Sequence, residues 1–334
     1  MTAPHKTERG TVLLTTLLIM SVIAAITVAL MDDIRIAVKR TLNVNAYAQA
    51  DWQGRGAEDF IRAWLVTDFA RLDDTARSLF IRQEEPLLLP TQDGLITVRL
   101  KDASHCFNLN AVINDEGQAT AHPAEFVTLA SLVGVPQNQA ETISQALMDW
   151  IDTDQNPRPA GAEDGTYLRA TPPYRTADTQ LTGPAEIRAL NGMDEDLWTL
   201  LEPFVCTGLL GQVAPINVNT LEPERIAVLA AAMGAENGTE IAQHILAERP
   251  LEGYANRDAL AQAVATLQIE DFVLPDRVDT NVSTVFVEVI TTVGPAERIR
   301  TYRYDGVDMD EPVLTYRGWG RETFRPEIKN EDVR

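Results

Sequence analysis

Thr-Val-Leu-Leu-Thr-Thr-Leu-Leu-Ile-Met-Ser-Val-Ile-Ala-Ala-Ile-Thr-Val-Ala-Leu-Met, residues 11–31, runs twenty-one residues without a charge. As a helix rising about 1.5 Å per residue, it just spans a bilayer core of about 30 Å. Lys6 and Arg9 precede it, and Asp32 and Asp33 follow it. The positive-inside tendency therefore puts the short leader in the cytoplasm and the bulk of the chain outside. A cleaved secretory signal fits poorly. Its apolar core usually covers about 7–15 residues and ends in a small-x-small site, whereas Ala24-Ala25 lies inside this longer run. The segment reads as an anchor that stays with the protein.

The 334 residues are 45% hydrophobic and 23% charged, which excludes wholesale disorder and gives length for about two domains. Asp and Glu number 49 against 28 Lys and Arg, a net charge of −21. Such a surface repels phosphate backbones and anionic lipid heads, so nucleic acid is not expected as a partner and membrane attachment must be hydrophobic. Four scattered His and two Cys show no zinc spacing. No nucleophile elbow or metal triad appears, so no catalytic or organic-cofactor residue is assigned.

Beyond the anchor no Pro occurs before Leu72, and Ile34, Val38, Leu42, Val44, Tyr47, Ala48, Phe60, Ala63 and Trp64 fall near helical spacing. One long helix is expected to leave the membrane and turn amphipathic, loosened at Gly54 and Gly56. Leu95–Leu100 alternates as a half-buried strand. Residues 283–293, 297–304 and 313–319, separated by Gly294-Pro295 and Asp305-Gly306, predict a three-stranded antiparallel meander. A polar tail begins at Glu322.

Between these β segments the chain is helical. Phe107-Asn-Leu-Asn110 returns as Ile216-Asn-Val-Asn219, and at both places Asn is suited to turning the chain and capping the next helix. Apolar helices broken by Gly134, Gly192 and Gly234 have the outline of helix-hairpin-helix or sterile-alpha-motif-like units. Such units often bind DNA, but acidic and amide residues flank these turns. A membrane-anchored helix-hairpin-helix protein for DNA uptake remains the alternative reading.

One ion site is a candidate. Asp152, Asp154 and Asn156 stand at positions 1, 3 and 5 of an EF-hand-like count, with Glu163 at position 12 and Asp164 after it. Pro157 occupies position 6, where an EF-hand needs Gly, so the loop is not an EF-hand. Spacing alone leaves a Ca²⁺ site and a solvated acidic loop equally open. Asp149 can join them as a further ligand or instead cap or orient the preceding helix end, and Asp178 can add a ligand from the next loop. Cys106 and Cys206 allow one intramolecular pair. Outside the cytoplasm a disulfide persists, and that pairing is favoured over two buried thiols.

The junction Glu8-Arg9-Gly10-Thr11 resembles the class III leader of type IV pilins and pseudopilins. That resemblance implies a prepilin peptidase that cuts between Gly10 and Thr11 and methylates the new N-terminus. The fifth mature position, Glu in most pilins, is Thr15 here. Together with Phe107–Asn110, Leu147–Asp152, Gly165–Tyr167, Pro173-Tyr174, Glu186–Met193 and Ile216–Thr220, these features resemble the K-type minor pseudopilin of the type II secretion system, the general secretion pathway protein K family. The resemblance implies an α+β fold: an N-terminal transmembrane and spine helix, and a pseudopilin-type antiparallel β-domain with a large α-helical insertion. The divisions expected are a leader over 1–10, a membrane helix over 11–31 and a spine over 32–72. The β-domain covers 73–122 and 276–334, with 213–220 as a further strand it can take in, and the insertion covers 123–275. The resemblance further implies a non-enzymatic protein in the inner membrane, mostly periplasmic, at the tip of the pseudopilus. There it joins the I-type and J-type minor pseudopilins, followed by the H-type minor and the major pseudopilin. Family members bind calcium in the region of the acidic loop.

Overall fold

The computed structural model describes residues 8–234, 236–270, 272–309 and 311–320. Residues 1–7 of the leader and the tail from Glu322 lie outside them.

A single helix, α1, runs Glu8–Trp64 and widens into a π-turn at Leu65–Phe69. From Thr11 to Asn45 every residue is exposed. Burial then begins on one stripe, Ala46, Ala50, Gly54, Ala57, Ile61, Leu65 and Phe69, spaced three or four apart. The stripe tapers from small to large, so the helix touches the sheet by its backbone at one end and by bulky side chains at the other. The helix does not loosen at Gly54. A Cβ there would stand 3.3 Å from Arg300 Nε and 3.4 Å from Thr291 Oγ1, so this Gly lets the sheet approach.

Helix α2, Asp74–Arg82, begins where Asp73 accepts a hydrogen bond from the Ala76 amide at 2.8 Å. It falls in a stretch whose apolar content is too low to announce a helix. Strands β1 (Leu87–Pro90) and β2 (Gly94–Asp102) form a hairpin. Pro90 is tolerated because β1 is an edge. Two-residue β3 (Phe107–Asn108) precedes the helices α3 (His122–Leu132), α4 (Gln137–Ile151), α5 (Asp164–Tyr167) and α6 (Glu195–Leu201). Val205–Cys206, β4, then pairs with β3 in parallel. Ile216–Asn217, β5, opens a second set: α7 (Ile226–Met233), α8 (Gly238–Ala247), α9 (Arg257–Ala265) and β6 (Val278–Asp279), parallel to β5. Residues 213–220 therefore stay out of the main sheet, because among the described residues β5 pairs only with β6, in a separate two-stranded sheet.

The chain closes with β7 (Thr284–Val293), β8 (Ala296–Asp305) and β9 (Val313–Trp319), an antiparallel meander. With the hairpin it makes a five-stranded sheet in the order β1-β2-β7-β8-β9. One face packs Val98, Leu100, Val285, Val287, Val289, Tyr302 and Tyr304 against Ala57 and Ile61 of α1 and Leu65 and Phe69 of the π-turn that follows it. Asp51 pairs with Arg298 and Arg300, and Glu58 with Arg317, fixing spine to sheet at the rim. The helices between the two sheet portions hold a second core around Phe107, Phe126, Leu147, Trp150, Trp198, Leu229 and Ile245.

The two Asn motifs do the same work in the two halves of that helical region. Asn108 Oδ1 accepts from the Asn110 amide at 3.1 Å, and Asn217 Oδ1 from the Asn219 amide at 2.9 Å. Each thereby turns a short parallel strand out of its pair.

Candidate functional site

Helix α4 ends at Ile151, where its cap residue Asp152 turns to an extended backbone (ψ 169°), and Pro157 and Pro159, which lack amide hydrogens, keep the loop beyond it from resuming a helix. The loop folds back so that Asp149, Asp152 and Glu163 bring carboxylate oxygens within 4.8 Å of one another. All three are buried, Asp149 completely. Among the described residues, neither oxygen of Glu163 and only one of Asp152 has a hydrogen-bond partner. Burial, reinforced by the charges of Asp149, Asp152, Asp154 and Asp178, pushes the Glu163 carboxyl up to about 8. The Asp152 carboxyl is also raised, chiefly by burial, against the pull of Arg158.

Arg158 supplies the positive charge. Its Nη1 donates to Asp149 Oδ1 and Asp152 Oδ2, each at 2.5 Å, and its backbone amide donates to Asp149 Oδ2 at 3.1 Å. Gly161 presses on the same carboxylate: a Cβ at Gly161 would lie 1.9 Å from Asp149 Oδ2. Three carboxylates with oxygens left over, against one guanidinium, form a donor set that fits a hard divalent cation.

The sequence-derived set is only partly assembled. Asp152 and Glu163 converge, joined by Asp149 rather than by Asp164. Asp164 accepts from the Thr176 amide at 3.1 Å and pairs with Arg175 at 2.7 Å. Asp178 accepts from the Thr176 hydroxyl at 2.6 Å. Asp154 accepts from the Asn156 amide at 2.8 Å on the exposed outer turn, and Asn156 itself is exposed. Asp149 lay one helical turn before Asp152, a signal for a shared face. Arg158 had no signal beyond being the one cation in an acidic loop.

Cys106 and Cys206 are joined by a disulfide across the β3–β4 pair, spanning 100 residues of sequence. Beside it, His105 Nε2 lies 3.1 Å from the Asn217 carbonyl and 3.1 Å from Thr220 Oγ1. A carbonyl only accepts, so Nε2 carries the hydrogen. The Thr220 hydroxyl donates to Asp102 Oδ2 at 2.6 Å. Burial holds the imidazole below its ordinary value, against the opposing pull of Asp102. Asp102, His105, Thr220 and the disulfide line a cavity of about 480 Å³ between sheet and helices.

A helix long and apolar enough to cross a membrane, continuing as the spine of an antiparallel sheet interrupted by a helical insertion, defines a pseudopilin-type protein. The fold matches a solved GspK-GspI-GspJ complex from the type 2 secretion system of enterotoxigenic Escherichia coli. One chain of it superposes with a TM-score of 0.65 and 23% identity, covering 84% of this chain and 99% of that one. Two family models for type II secretion system (T2SS) protein K match residues 105–208 and 216–281. Type II secretion system protein K of Klebsiella pneumoniae is 33% identical over 255 residues, 75% of this chain and 77% of the relative. That of Pseudomonas aeruginosa is 28% identical over 299 residues, 87% and 86% of the two chains. The chain belongs to the type II secretion system protein K family, the K-type minor pseudopilins its sequence resembles.

Proposed function

We propose that this chain stands at the tip of a periplasmic pseudopilus with I-type and J-type minor pseudopilins, and initiates the filament that exports folded proteins through the outer membrane. The observation that carries this is the shared fold with a chain of the GspK-GspI-GspJ complex, insertion included. H-type and major pseudopilins then extend the filament below. The apolar part of α1 anchors the chain in the inner membrane as a single pass, after a prepilin peptidase has cut between Gly10 and Thr11.

The role is assembly rather than catalysis. The Thr220 hydroxyl donates a hydrogen bond to Asp102 and accepts one from His105, so the histidine is no base toward that hydroxyl, and both cysteines are in the disulfide. DNA uptake has less support: the hairpin turns carry no basic cluster and the chain holds a net charge of −21.

Ca²⁺ bound by Asp149, Asp152 and Glu163, with Asp154 at the rim, has a folding role. It neutralises buried carboxylates and orders a loop that its prolines leave short of backbone hydrogen bonds. Asp164, Asn156 and Asp178 support the loop around it.

The test is co-purification of the full chain, in detergent, with its I-type and J-type partners. A stable ternary complex that lacks the major pseudopilin is expected. Finding the labelled protein spread along filament shafts would refute the tip assignment.

A further inference from the structure

The acidic pocket holds a cation of its own. One nitrogen of Arg158 is shared by Asp149 and Asp152, while its Nη2 reaches the Gly117 carbonyl at 3.3 Å. Glu163, only 4% exposed, gets nothing from it. A planar guanidinium donates along fixed directions and here serves two carboxylates. A divalent ion draws oxygens from all sides and can serve three. The carboxylates are sunk in the protein, whereas the Arg158 side chain is 23% exposed against 0% for Asp149 and 4% for Asp152. Its backbone lies in the loop between Pro157 and Pro159, not in α4. The arginine is therefore the member of the cluster that can leave without disturbing the helix.

The geometry points to Arg158 as a built-in competitor for the calcium ion: its guanidinium braces Asp149 and Asp152 in the ion-free chain and swings out to the rim when Ca²⁺ enters. This rests on the calcium reading above and adds to it a loop with two states whose balance sets the affinity. The ion must displace charge-assisted hydrogen bonds, so its apparent affinity falls by the fraction of molecules whose site is free. In return, the ion-free chain does not leave three buried carboxylates without any positive partner.

The experiment uses the full chain in detergent, stripped with a chelator and titrated with CaCl₂ by calorimetry. Arg158→Gln should bind Ca²⁺ at least about tenfold more tightly than wild type, the factor that one charge-assisted hydrogen bond represents. Arg158→Lys, a point charge without the fork, should fall between them and serves alone if Arg158→Gln does not fold. Arg169→Gln removes the same charge from a residue that contacts the Thr166 hydroxyl, and should stay within about twofold of wild type. Melting separates competition from a merely structural role. The Arg158→Gln chain should melt below wild type without ion but level with it when calcium-saturated. Wild type that binds Ca²⁺, with variants that bind no more tightly, overturns the competitor role and leaves the calcium reading standing. No binding by wild type or variants overturns the calcium reading itself.

Discussion

Asn110 clasps the backbone of Leu181 at both polar atoms: Oδ1 accepts from its amide at 2.8 Å and Nδ2 donates to its carbonyl at 3.0 Å. Asn219 holds Tyr254 in the same way, at 2.7 Å and 2.9 Å. Each carboxamide stands in for a neighbouring strand in a half of the helical region that has only two-residue strands. Gly253 is required beside the second clasp, since it has φ +91° and its Cβ would fall 2.7 Å from Asn219 Cγ. Replacing either Asn by Ala orphans two buried backbone groups at about 1–3 kcal/mol each. Asn110→Ala and Asn219→Ala should each lower stability by roughly 2–6 kcal/mol in denaturant melts. A loss below about 1 kcal/mol for both would show that water replaces the amides.

The disulfide closes 100 residues of chain. In the chain-entropy model a loop of that length is worth about 4–5 kcal/mol. Reduction, or the Cys106→Ser/Cys206→Ser double variant, should lower the unfolding midpoint in denaturant accordingly. The helices around α4 should be lost no earlier than the rest, because their core does not depend on the sulfurs. An unchanged midpoint would put the stabilisation elsewhere.

His105 gives a pH dependence with a definite sign. Its neutral ring is buried against Asp102, with Arg225 and Glu222 the other charges facing it. The folded pKa is lowered, so between that value and the unfolded value of about 6.5 the unfolded chain holds the extra proton. Stability is therefore present above about pH 6.5 and is lost as pH falls below it, by up to about 1.4 kcal/mol per pH unit. Melting curves of calcium-saturated protein between pH 7.5 and 5.5 should show this slope, and His105→Gln should flatten it. Equal slopes in the two proteins would remove His105 from the account.

Much of this architecture was legible, for identifiable reasons. Twenty-one uncharged residues can hardly be other than a long apolar helix, and the meander announced itself through Gly294-Pro295 and Asp305-Gly306. The edge strand Leu87–Pro90 stayed hidden because Pro argues against a strand until its edge position is known. Residues 213–220 have strand character, yet pairing partners are a long-range property, and β5 found β6. In the acidic loop a linear count finds spacing but not direction. It joined Asp164 to Glu163, although the chain turns Asp164 toward Thr176, and it left out Arg158, whose role depends on the loop folding back over α4.

Processing between Gly10 and Thr11 can be read directly. Thr11 as mature N-terminus, carrying a methyl group, is the expected result from mass spectrometry of the membrane fraction. Gly10→Leu should leave the precursor uncut. The Thr15 hydroxyl, at the position where most pilins carry Glu, donates to the Val12 carbonyl at 2.9 Å. It brings no unpaired charge into the bilayer. A mature chain beginning at Met1, or beyond residue 25, would be incompatible with the leader.

Arg277 and Glu125 make the last prediction. Arg277 Nε donates to Glu125 Oε1 at 3.1 Å, Nη1 donates to the Ala214 carbonyl, and Nη2 donates to the Cys106 carbonyl at 3.4 Å. One side chain thus fastens α3, the segment before β5 and the disulfide to the turn that leads back to the sheet. Both partners are nearly buried, at 6% and 11% exposure. Burial lowers the Arg277 pKa, against the opposing pull of Glu125. Breaking such a pair from one side strands a desolvated charge, at about 3–5 kcal/mol. Glu125→Leu alone and Arg277→Met alone should each cost about that much in denaturant melts. The double variant removes both charges together and should cost less than the two losses combined, because neither partner is left uncompensated. Strictly additive losses would mean that the carbonyl bonds of Arg277, rather than its pairing with Glu125, hold the two regions together.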